Sequence, residues 1–104
     1  MFKNIFGRKK EFNFTEPENT VCVVCNHIIH DNSPIMYIAH NGEGDGWEFY
    51  CGAEHHETTD VKLISLGQIV DIDSRVNKFS DMPEGIYVQR ETENDEWVPC
   101  KISS

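Results

Sequence analysis

No uninterrupted apolar run in this sequence exceeds five residues, the length of Val21-Cys22-Val23-Val24-Cys25. A membrane-spanning helix needs about 20 apolar residues in a row, so the sequence offers no candidate span. A secretory leader also needs a continuous apolar stretch. The first ten residues lack one, because Phe2, Ile5 and Phe6 are mixed with charges. The expectation is a cytoplasmic chain. In that compartment Cys22, Cys25, Cys51 and Cys100 are reduced thiols or metal ligands rather than disulfides.

Short apolar runs suit short strands and one modest core. At 104 residues the chain has room for a single domain. Residues 1–18 read as a basic and aromatic entry arm, and residues 19–104 as one α+β domain. The β-branched run 21–29 predicts a buried strand, and the turn cluster Asp31-Asn32-Ser33-Pro34 follows it. Residues 35–40 and 47–51 predict two more strands around the glycine-rich loop Asn41-Gly42-Glu43-Gly44-Asp45-Gly46. Ser65 is a good N-cap for a helix over 66–72, and Gln68 three residues on completes a capping box. A further helical turn is expected over 74–79, then a turn at 81–85. A closing hairpin, 86–90 and 96–99, completes the order. Strand, hairpin, helix, hairpin gives a mostly antiparallel sheet with one main helix packed on one face.

Charge narrows the partners. Lys3, Arg8, Lys9 and Lys10 all lie in the first ten residues, where there is no acid. Residues 11–104 hold 5 basic and 18 acidic residues, a net of -13. Such a body repels a phosphate backbone, since nucleic-acid binding rests on Lys and Arg neutralising phosphates. It steers in a basic protein partner instead. The other consequence of acidity is plain solubility.

Two clusters carry metal chemistry on paper. Cys22-x-x-Cys25 is one half of a zinc site, and Cys51-x-x-x-His55 is the other. Zinc takes four Cys and His ligands in a tetrahedron, and two close pairs from separate segments supply them. A variant uses Cys25-x-His27 in place of the first pair. Against the first pair, residues three apart on a strand point to opposite faces. Cys51 beside His55 and His56 is also the one candidate nucleophile. Its acidic neighbours Glu48, Glu54 and Glu57 work against a reactive thiolate, which a basic environment favours. Glu43-Gly44-Asp45-Gly46 lacks the ligand count of a calcium loop. Trp47, Tyr50 and Trp97, with the acids Glu43 and Asp45, are the candidate binding residues, because aromatic side chains beside loops dominate association energies.

Several of these pieces together resemble a known family. They are Cys25-x-His27, Pro34-Ile35-Met36-Tyr37, and Gly46-Trp47-Glu48-Phe49-Tyr50-Cys51-Gly52. The helix over 66–73 and Pro83-x-Gly85 followed by Arg90 complete the set. Over about residues 20–98 the sequence resembles the immunity protein 33-like family of small bacterial proteins, grouped with polymorphic toxin systems. The resemblance implies an α+β fold, no enzymatic activity and a role in neutralising a cognate toxin. The alternative is a small zinc-stabilised structural or regulatory domain.

Overall fold

The computed structural model describes residues 11–52 and 61–102. Within them lie six strands and two α-helices. β1 is Val21–Cys25, α1 is Asn26–Asp31, β2 is Tyr37–Asn41 and β3 is Gly46–Tyr50. β4 is Val61–Ser65, α2 is Leu66–Ile72, and a 3-10 helix covers Ser74–Phe79. β5 is Ile86–Gln89 and β6 is Val98–Lys101.

All six strands join one sheet in the order β4-β1-β3-β2-β5-β6. Four of the pairings are antiparallel, and β1 with β3 is parallel. The α+β expectation therefore holds, with one parallel pair, the second and third strands of the order, inside the sheet. The register follows the two-residue alternation of strand side chains. Cys22 and Val24 point to one face with Phe49 and Trp47, and these side chains are 2% exposed or less. Leu66, Ile69 and Val70 of α2 and Val76 of the 3-10 helix pack into the same cluster. α2 starts where its sequence says it should. The Ser65 hydroxyl accepts from the Gln68 N–H at 3.1 Å, and the Ser65 N–H donates to Gln68 Oε1 at 2.9 Å.

The run 21–29 does not continue as a strand. It ends at Cys25 and becomes α1, which closes on Asn32 in the left-handed region, φ 57 and ψ 29. Asn tolerates that conformation better than other non-glycine residues. Burial of Ile28, 1% exposed, outweighs the strand preference of the two isoleucines.

The described part of the arm is bound into the body. Phe14 is buried and meets Trp47 edge-on at 5.0 Å. The Asn77 side chain donates to the Glu11 carbonyl at 3.0 Å and accepts from the Asn13 N–H at 2.9 Å. Both kinds of polar group on this buried amide, donor and acceptor, are thereby paired with backbone.

Candidate functional site

The parallel pairing of β1 with β3 decides where the sulfur atoms meet. Val24 lies opposite Phe49, and both strands run the same way. Their C-terminal ends therefore reach the same edge of the sheet. Cys25 closes β1 and Cys51 is the residue after β3. His27 stands in the first turn of α1, two residues past Cys25. The Sγ atoms of Cys25 and Cys51 and a ring nitrogen of His27 all lie within 4.8 Å of one another. Cys51 Sγ is 3.5 Å from His27 Nδ1.

Burial differs among the three. Cys25 is fully buried, while His27 and Cys51 are half-buried. Burial pushes the Cys25 thiol up, and the neighbouring Cys51 side chain adds to this. The backbone N–H groups of Ile28 and Cys51 act on the same sulfur in the opposite direction, as hydrogen bonds to a charged form do. Gly52 turns the chain away just past Cys51, with φ +82.

This group can hold a metal ion. Two soft thiolates and an imidazole match zinc and its relatives. A thiol beside an imidazole is also the pair a nucleophile uses. The second sulfur at the same point separates the two readings, because a Cys–His dyad has no use for it and a metal does.

The other candidate residues fall elsewhere. Cys22 lies on the opposite face of β1 from Cys25, inside the core, and burial pushes its thiol up to about 12. It takes no part in the cluster. His55 lies outside the described residues. Trp47, one of the candidate binding residues, is 1% exposed and packs in the core. Its indole N–H donates to Glu16 Oε2 at 2.9 Å, and the His40 ring stacks on it at 4.0 Å. The His40 Nδ1–H donates to the Met82 carbonyl at 2.6 Å, which leaves Nε2 facing Glu16 at 3.7 Å.

Trp97 is half-buried. It meets Phe79 edge-on at 5.1 Å and lies under the Arg90 guanidinium at 4.2 Å. Arg90 also donates to the Ile35 carbonyl from Nε at 3.2 Å and Nη2 at 2.8 Å, and to the Glu93 carbonyl at 2.8 Å. Arg90 thereby fixes the 90–97 connection to the start of β2. In the sequence it stood at the end of the expected strand 86–90 and in the resemblance set after Pro83-x-Gly85, with no sign of this contact.

Glu43 and Asp45 are exposed at the β2–β3 turn. Tyr50 is half-buried, its ring 5.7 Å from Tyr37, which in turn stacks on Tyr87 at 4.9 Å. The Tyr50 hydroxyl donates to Glu48 at 2.6 Å, and Asn41 donates to the other carboxylate oxygen at 2.7 Å. By strand alternation Tyr37, Tyr50, Tyr87 and Glu48 share the sheet face opposite Phe49. Leu63, 69% exposed, belongs to the same face.

No helix among the described residues is long and apolar enough to cross a membrane. No curated protein and no solved structure matches the chain. The family model of the immunity protein Imm33 domain matches residues 22–101, from Cys22 in β1 to Lys101 in β6, and the chain belongs to that family.

Proposed function

We propose that this chain is a non-enzymatic protein-binding module that neutralises a cognate toxin in the cytoplasm, using its acidic surface to capture a basic partner. The observation that carries the reading is membership of the immunity protein Imm33 domain family over residues 22–101. The charge distribution supports the sign of the partner. Of the five cationic side chains beyond residue 10, Arg75 is paired with Asp73 at 2.8 Å and Glu93 at 3.3 Å, and Arg90 is committed to main-chain oxygens. Glu43 and Asp45 stay exposed at the β2–β3 turn, and at the other end of the same two strands half-buried Tyr37 and Tyr50 stand beside Glu48. Half-buried tyrosines beside acids are the kind of contact that anchors an association.

The test is to look for a toxin gene beside this one in its native genome and to measure stopped-flow association with the toxic domain found there. A one-to-one complex should form, with an on-rate that falls as salt rises, because steering acts through screened charges. The double variant E43Q/D45N should slow association more than it speeds dissociation. A complex with a salt-independent on-rate would remove the acidic surface from the account. Absence of any complex would remove the toxin-binding function.

A second reading, a small zinc-stabilised domain, is favoured by one observation, the convergence of Cys25, His27 and Cys51.

A further inference from the structure

We infer that Cys25 Sγ, Cys51 Sγ and His27 Nδ1 are three ligands of one soft divalent cation of the zinc class, held where the C-terminal ends of β1 and β3 meet the first turn of α1. The inference rests on the zinc-stabilised reading and deepens it by assigning the ligands. Three observations support it independently. The ligand atoms lie within 4.8 Å of one another. Tetrahedral zinc with bonds of about 2.0 to 2.3 Å needs ligand atoms only about 3.3 to 3.8 Å apart, so a small inward shift closes the site. The Cys51 Sγ to His27 Nδ1 distance of 3.5 Å already falls in that range.

The second observation concerns hydrogen bonds. Two backbone N–H groups, of Ile28 and Cys51, are directed at the buried Cys25 sulfur. Partners of that kind hold and orient metal-bound ligands.

The third concerns position. Gly52 has φ +82, and a Cβ there would lie 3.0 Å from the Met36 Cβ. Glycine thus lets the backbone turn closely past Met36 directly after Cys51, whose sulfur lies beside Cys25 and His27. Half-burial of His27 and Cys51 gives an ion access from solvent, while full burial of Cys25 shields the inner bond.

Ion binding would exchange the two thiol protons for metal–sulfur bonds and release them to solvent. No oxidation or reduction is involved. The bound ion would tie β1, α1 and β3 together, and the apo chain would be less stable.

The test is cobalt(II) titration of the full-length, reduced chain, purified without a histidine tag. The expected result is one cobalt per chain, a sulfur-to-cobalt charge-transfer band, visible bands of tetrahedral type, and displacement by zinc. C25S, C51S and H27Q should each weaken cobalt affinity by at least about tenfold, the loss that even outer-shell changes carry. C100S and C22A should leave it unchanged. Circular dichroism of each variant identifies any that fail to fold, and H27Q and C51S, at half-buried positions, serve if C25S does not fold. If C100S or C22A abolishes binding while C51S and H27Q keep it, the ligand assignment falls and the zinc-stabilised reading survives. If the unaltered chain takes up no cobalt, both fall.

Discussion

Replacing Gly52 with Ala isolates one contact that the fold depends on. Gly52 has φ +82, a region that costs an L-residue about 1–2 kcal/mol. The new Cβ would also lie 3.0 Å from the Met36 Cβ and 3.4 Å from its Cγ. Met36 cannot retreat cheaply. Its N–H donates to the Tyr50 carbonyl at 2.9 Å, and its own carbonyl accepts from the Arg90 N–H at 3.1 Å. A Cβ fixed to a backbone bonded on both sides moves only with the strand. Overpacking of this kind adds about 1–3 kcal/mol. Ala also restricts the unfolded chain, which returns about 0.4–1 kcal/mol. The net expectation is a loss of about 3 kcal/mol. Gly44 is the internal control, since it has φ +79 and nothing within 4 Å of a built Cβ. G44A should therefore cost about 1 kcal/mol or less, by the same conformational terms without the clash. Urea unfolding monitored by tryptophan fluorescence measures both. Equal losses in the two variants would refute the argument, because the Met36 contact is what separates them.

Phe49 is fully buried at the centre of the sheet; F49A should cost about 3–5 kcal/mol in urea unfolding, and a loss below 1 kcal/mol would contradict its placement. R90K should lower stability by about 1–2 kcal/mol and shift Trp97 emission, because lysine can neither donate twice to Ile35 nor lie flat on the indole. Burial raises the Asp73 carboxyl, but its bonds to Arg75 outweigh this and hold it below the usual carboxylate range. Its contribution is therefore present above about pH 4, the unfolded carboxylate value, and is lost as pH falls through the lower folded value. D73N should flatten that acid limb of the stability–pH curve, and an unchanged limb would count against the pairing. Cys22 should resist thiol reagents until the chain unfolds, given its burial and its thiol raised to about 12; rapid labelling in the native state would contradict this.

Elements with a local signature were legible in the sequence. Ser65 and Gln68 announced α2, and the glycine-rich loop announced the β2–β3 hairpin. The transition at Cys25 was not legible. Val21 to Ile29 carries no Gly or Pro, only the weaker signal of Asn26, and α1 is six residues with one fully buried side chain, Ile28, so tertiary packing decides it. The consequence reaches the candidate site. A strand through Cys25 keeps His27 on one side of the sheet, whereas a helix starting at Asn26 folds His27 back over Cys25. The parallel β1–β3 pairing was equally hidden, because pairing partners distant in sequence leave no periodicity to read. That pairing is what brings Cys51 to Cys25 in place of Cys22. For Trp47 the sequence gives its proximity to a loop but not the cover supplied by Phe14 and His40.

Growth rescue tests the proposed role most directly. The account predicts a toxin gene beside this one in the native genome, and its toxic domain is expressed alone and together with the chain. The account predicts arrested growth in the first case and restored growth in the second, with rescue weakened by E43Q/D45N. Arrest that persists when the folded chain is present in excess would contradict it.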